Sequence, residues 1–572
     1  MRKLFCGYMT ALCRLLGGGC LLCLAHAVLA ADDGQPATGL QTCVIPESSR
    51  NEQQSVEQER RQQRLFDEHQ GKIIDDIRFI NFNVFDETND DENNRLYLFL
   101  NKLHVHTRED VIASQLLFDV GDTLNPHDIA ESERLLRSRS YFAHAYITLS
   151  EICPNRVKVT IHTQDAWTTE PQLSFGHSGG KTSSGFALSE GNFLGSGDSV
   201  TVGYSKNADR SGIFYSFSSP HFLNSRMAAT IGYANNSDGE DSIIDIVYPF
   251  YSLRTPQSYG IKSEKLTQLE PIRIAGETVN EYRHKIERHE AFFGRAVSVD
   301  NDTHRLLFGI TSERDSFEET EETFGNLPTD TDLLYPWVEY QFIENEFAVY
   351  RNIDQIQRTE DIAMGKNISL RLGYGGNSFD NGDDVLRLFG RYSDVLAVND
   401  HHILKFSAYI DGRRHSKLED TDSSVAGGEF FYYLLQDRKN RWYARLAYDI
   451  GQDLQEHEKL TVGGNLGVRG YPLDFQRGNQ RYIFSLEKRY FSDVHLFNLL
   501  RLGGVVFFDA GRAWDSNAEE ASPHLSNVGI GLRVSSSKTR IGHMVHIDLA
   551  FPTASKQNAD EVQWLIKAEQ MF

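Results

Sequence analysis

The chain has 572 residues, with 58 Lys and Arg against 80 Asp and Glu, for a formal charge of −22. This length exceeds one ordinary domain, and an acidic balance with no basic stripe argues against nucleic acid as a partner. Mean hydropathy is −0.43, and no apolar run long enough for a spanning helix follows the N-terminus; a β-barrel stays open, because its strands bury only alternate residues and dilute the signal.

Residues 1–30 read as a secretory signal. Arg2 and Lys3 form a positive start, an apolar stretch runs from Leu15 to Leu29, and Ala30 and Ala31 suit cleavage after Ala30. Four of the 6 cysteines (Cys6, Cys13, Cys20, Cys23) fall inside it. Cys43 and Cys153 remain. In an exported protein they are expected to form a disulfide tying the N-terminal tail to the soluble domain, the alternative being two separate buried thiols. Residues 31–70 are polar. Glu47 to Gln70, rich in Glu, Gln and Arg, reads as a solvated helix or tail outside any core.

Residues 71–167 read as a small βααββ domain. Ile73–Ile80 is a strand, and Arg95–Leu103 is helical. Thr107-Arg108-Glu109-Asp110 looks like a helix start leading into Val111–Phe118, and Asn125-Pro126 opens a further helix with Ile129, Leu135 and Leu136 on one side. Tyr146–Leu149 and Val157–Ile161 make a hairpin across Pro154-Asn155. The order, with Phe118–Asp122 and Glu133–Ser138, resembles a polypeptide-transport-associated (POTRA) domain, and there is room for one.

From residue 168 to 572 helical periodicity vanishes. Short alternating runs, such as Ser199–Tyr204, Ile213–Phe217, Trp337–Phe347 and Trp442–Tyr448, are separated by Gly, Asn, Asp and Ser. About 20 such runs can be counted, an even number as a single-chain barrel requires. In the final run Val562, Trp564, Ile566, Ala568 and Phe572 share one face, and Glu561, Gln563, Lys567 and Glu569 share the other. The first face would meet lipid and the second a polar interior.

The densest signal lies in residues 463–572. Val468-Arg469-Gly470-Tyr471, then Phe484–Tyr490, then Phe507-Phe508-Asp509-Ala510-Gly511, and the terminal strand with Trp564, Ile566 and Phe572 as its export signal, appear in this order. This set resembles the BamA/TamA-type outer-membrane insertase superfamily. Glu190–Gly197 and Phe217–Phe222 are similar to its second-strand turn and fourth-strand end. The resemblance implies a 16-stranded transmembrane antiparallel barrel behind a POTRA domain. Two hairpins, near 280–315 and 425–450, would then stand outside the wall; otherwise the barrel is larger.

It also implies that Arg469 sits at the tip of the sixth extracellular loop. That loop folds back into the lumen, where the guanidinium meets Glu487 and Asp509. A confined Arg needs a carboxylate and can take one bidentately. Gly470 would let the loop bend against the wall, with Tyr471 and Gly511 completing the latch.

Enzyme signals are weak. Gly176-His177-Ser178-Gly179-Gly180 fits a hydrolase pattern, but a hairpin follows it rather than the helix that would aim the serine. His284 and His289 face opposite sides of a strand and make no zinc pair. No enzyme activity, cofactor, metal or nucleic-acid partner is expected.

The leading expectation is an outer-membrane protein insertion or translocation factor with its N-terminal domain in the periplasm. Its partners would be membrane lipid, unfolded clients such as other barrel proteins, and the barrel-assembly machinery for its own insertion. A two-partner secretion exporter and a passive structural or adhesion barrel are the alternatives.

Overall fold

The computed structural model describes Cys43 and residues 56–570, apart from 91, 179–180, 208, 300–301, 354, 358, 377–383, 418–421, 465–466, 518–521, 539–542 and 555–558. The expected signal segment and Phe572 lie outside the described residues. Cys43 and Cys153 are both disulfide-bonded.

The N-terminal domain comprises α1 (Val56–Glu68), β1 (Ile73–Phe82), α2 (Arg95–Leu103), α3 (Glu109–Ala113), α4 (Pro126–Arg137), β2 (Phe142–Ile152) and β3 (Arg156–Asp165). β1 lies parallel to β3, β2 lies antiparallel to it, and the sheet order is β1-β3-β2. Helix starts follow local chemistry. Asn94 accepts from the amides of Leu96 and Tyr97, and Asn125 accepts from the amide of His127, with Pro126 in the first turn. Ile112, Ile129, Leu136, Ile147 and Ile161 form the core, all with at most 2 % of their surface exposed.

Two sequence expectations need correction here. Phe66 of α1 is buried in this core, so part of the polar segment 31–70 belongs to the domain. Val56 and the adjacent Leu65 and Phe66 are the only apolar residues of this helix, too sparse a pattern to read as a core-facing stripe. The helix expected from Val111 to Phe118 stops at Ala113; with the other two stretches read as helical it makes three helices between β1 and β2, one more than the βααββ order names.

The rest of the chain is one closed antiparallel barrel. Thr331–Ile343 and Glu346–Arg351 run consecutively along the same neighbour, Thr359–Gly375, and act as one strand broken at 344–345. Counted so, the wall has 20 strands among the described residues, from Thr169–Ser178 to Gln563–Gln570, which meet at the seam. The larger barrel is therefore the correct alternative to 16 strands. Both hairpins that might have stood outside are in the wall, as Glu277–Val299 paired with Asp302–Glu319 and Ser423–Leu435 paired with Asn440–Gln452.

Alternation sorts the side chains. Along Leu525–Ser536, Val528, Ile530 and Leu532 are exposed on the outer face, while Asn527, Gly529 and Arg533 are buried inside. Val506, Ile547, Leu549 and Phe551 extend the same outer surface over neighbouring strands. Val562 is exposed and Gln563 buried, the parity expected of the last strand. A continuous apolar exterior of this kind is far larger than a water-soluble monomer tolerates, and in hydrocarbon only a closed sheet pairs every backbone amide.

The N-terminal domain seats on one end of the barrel, here called the near end. Arg137 makes a two-pronged contact with Asp361, Lys538 pairs with Glu92 at 2.8 Å, Arg226 donates to the Leu116 carbonyl, and Leu253 N donates to Glu131.

Within this domain the His162 ring stacks on Tyr146 at 4.6 Å and lies against Phe82, and its Nε2 meets Thr148 Oγ1 at 3.0 Å. Burial pushes its pKa down to about 4. The folded form then refuses a proton that the unfolded chain accepts near 6.5. Stability is fully present above pH 6.5 and is lost as pH falls from there towards 4. Hydrogen-exchange protection of the β2–β3 amides in the full chain should decline over that window, and His162→Gln should flatten the decline. Peptide mapping without reductant should recover Cys43 and Cys153 in one cross-linked species.

Candidate functional site: a buried arginine knot in the lumen

The loop 453–479 at the far end is the eighth on that side, not the sixth, because the extra strand pairs precede it. It is pinned at its base by a short pairing of Leu460–Val462 with Gln476–Gly478. Between these segments the chain dips into the lumen. Val468 and Tyr471 have no exposed surface and pack with Val462, Ile483, Ala513 and Leu525. Across the lumen, His457 of the same loop rests against Tyr282, His284 and Phe317, and Asp474 takes Arg273 at 3.2 Å. The loop thus bridges opposite walls.

At its tip Arg469 spends its whole fork on acids. Nε and Nη2 both bond Asp509, each at 2.8 Å. Nη2 also reaches Glu487 at 2.9 Å, and Nη1 reaches Asp548 at 3.0 Å. The guanidinium carbon lies 3.5 Å from the centre of the Phe507 ring, so the plane is held by stacking as well as by charge. Arg489 pairs with the second oxygen of Glu487 at 2.8 Å, and Arg533 pairs with Asp548 at 2.5 Å. Three arginines therefore balance three carboxylates. Asp509, with no exposed surface, also accepts from Asn527 Nδ2 at 3.0 Å. Buried charges persist only when paired and hydrogen-bonded in this way.

The backbone is fitted to this knot. Gly470 N donates to Asn527 Oδ1 at 3.0 Å, and a Cβ on Gly470 would fall 2.7 Å from the Asn527 Cβ. A Cβ on Gly511 would meet Val468 at 2.6 Å. Tyr471 donates to the carbonyls of Ser526 and Ala554. Inward glycines make room for the larger partners: Gly529 faces Phe507 and Gly531 faces Asp548.

All six residues expected in the latch, Arg469, Gly470, Tyr471, Glu487, Asp509 and Gly511, meet here. Trp564 and Ile566, on the last strand, face outward and take no part. Asp548, Asn527, Arg489, Arg533 and Phe507 were not anticipated. Parity could have found Asp548, which alternates with the outward Ile547 and Leu549.

Apart from this knot, His104, His106 and Asp165 in the N-terminal domain lie within metal-ligating reach of one another. Asp165 is already held there by His104, Thr107 and Asn81.

Fold and site together define a transmembrane β-barrel with a re-entrant, arginine-latched loop. Residues 400–568, a stretch that contains the whole knot, match the Omp85 superfamily domain. No curated protein matches the chain. Among solved structures, the chain is similar to BamA from Haemophilus ducreyi lacking POTRA domains 1–3, at 15% identity and TM-score 0.37 over 87% of this chain and 85% of that one. It is also similar to CdiB from Escherichia coli, at 12% identity and TM-score 0.44 over 88% and 77%, and to CdiB from Acinetobacter baumannii, at 11% identity and TM-score 0.41 over 87% and 73%.

Removing one member of a buried ion pair costs about 3–5 kcal/mol. Arg469→Ala should therefore free the loop, seen as new proteolysis within 453–479 while the barrel band stays heat-modifiable. Asp509→Asn should act more strongly than Asp548→Asn, because Asp509 takes two of the four acid contacts and the Asn527 amide.

Proposed function

We propose that this protein resides in the bacterial outer membrane, with its N-terminal domain in the periplasm as a single POTRA-like module, and acts there as an insertion or translocation factor for client polypeptides. The observation that carries this reading is the Arg469 knot, which holds a lumen loop against the four strands leading to the seam. A passive wall gains nothing from six buried charges placed there, since an apolar replacement is often as stable.

The seam supports the same reading. It joins a 10-residue strand to an 8-residue one, whereas Glu277–Val299 has 23 residues. Strands of this length barely span a hydrocarbon core, for which roughly 9–11 tilted residues are needed, and the join of Lys181–Glu190 to Ser199–Lys206 is equally short, so the thin wall extends from the seam into the first strands. The outer edge of β1, bridged only at Ile73 to Thr123 among the described residues, offers an extended client a strand to pair with. No covalent step is required of any residue.

Depletion followed by outer-membrane proteomics tests the proposal. Loss of a set of barrel proteins, restored by the wild type and not by Arg469→Ala, is the expected result. Loss of one secreted protein alone would make the chain a dedicated exporter, and an unchanged membrane would make it a structural barrel.

A further inference from the structure

Three turns at the near end break the ordinary rule for tight turns. Leu194, Leu223 and Phe497 have φ of 54°, 56° and 54°. In the last two turns the next residue, Asn224 or Asn498, is also left-handed, at 53° and 52°. Paired left-handed positions of this kind favour Asn, Asp or Gly, and a bulky side chain there costs roughly 1–2 kcal/mol. The chain places its largest apolar residues at these positions and then leaves them bare: Leu194 is 67% exposed, Leu223 81% and Phe497 79%. Neither backbone preference nor contacts within the described residues account for that choice.

The turns flank the seam on both sides. Leu194 and Leu223 follow the second and fourth strands, and Phe497 lies between the strands Gln480–Leu496 and Leu500–Trp514. Each is close to the N-terminal domain: Arg108 N donates to Gly195 O, Arg226 to Leu116 O, and Tyr97 of α2 to Phe497 O. The exposed apolar surface continues from the barrel exterior at Val494, Leu496 and Leu500 through Phe497 to α2. On α2, Leu96, Phe99 and Leu103 form one exposed apolar stripe at helical spacing, followed by Val105, while Arg95 and Lys102 are exposed beside it. The buried side of α2, Tyr97 with Phe85, packs towards Leu499 of the same turn.

The geometry points to a lipid-bound footing: α2 lies in the headgroup region of the leaflet on the N-terminal-domain side, and the Leu194, Leu223 and Phe497 turns insert beside it on either side of the seam. The occupant is phospholipid. The surface is continuous with the lipid-facing belt of the barrel, and an amphipathic helix with basic residues at its flank binds an anionic interface. In this arrangement the N-terminal domain is held against the bilayer next to the seam, not merely hung from the first strand. The inference needs only that the barrel spans a membrane, so its failure would leave the proposed function standing.

The test is site-directed spin labelling of the full chain in vesicles of phosphatidylethanolamine and phosphatidylglycerol. Labels go at Leu103→Cys, Leu223→Cys and Phe497→Cys, with Ile530→Cys as the lipid reference and Glu109→Cys as the water reference; the native cysteines are kept oxidised. Contact with lipid predicts that the three labels resemble Ile530→Cys, with access to oxygen severalfold greater than to a water-soluble nickel chelate. Labels that resemble Glu109→Cys, or labels shielded from both reagents as under a protein partner, would overturn it. As a second measurement, Leu223→Asn should leave folding in detergent intact or improved, while a label at residue 103 moves towards water; an unmoved label would count against a shared footing.

Discussion

Everything in this molecule follows from the need to pair each backbone amide where no water is present. A sheet that crosses hydrocarbon must close on itself, and closure makes side chains alternate strictly between lipid and lumen. The exposed Val528, Ile530 and Leu532 and the buried Asn527, Gly529 and Arg533 are two sides of that single constraint. The same parity that makes a lipid wall gathers charge inside it. Glu487, Asp509, Asn527 and Asp548 come from four different strands, yet face one point.

Into that point the chain threads one arginine. The low-polarity surroundings make an unpaired charge expensive and a paired one firm. The loop is therefore held by a balanced lattice of three arginines and three acids, by ring stacking on Phe507, and by Tyr471 bonding two wall carbonyls. The loop also braces the opposite wall through His457 and Asp474.

The N-terminal domain joins this frame by polar contacts at the near end and by the packing of Phe85 and Tyr97 towards Leu499. Its own core is conventional; Glu92 and Tyr97 meet residues of barrel turns near the seam, while Arg137 reaches Asp361 on the eleventh strand, half-way round the wall.

Much of this was legible in the residues alone. Alternation beyond residue 168 announced a barrel, since a period of two on a half-polar strand has few other uses. The ordered Arg469, Glu487 and Asp509 announced the latch. The capped helix at Asn125-Pro126 and the hairpin at Pro154-Asn155 outlined the N-terminal domain. Tertiary structure decided the rest. Whether two hairpins stood in the wall depended on which strands found partners across the barrel, and a one-dimensional pattern does not encode that choice. Phe66 joined the core because α1 happened to lie over it. Asp548 joined the knot because closure brought the nineteenth strand beside the loop, and proximity in a cylinder is set by strand order and register, not by distance along the chain.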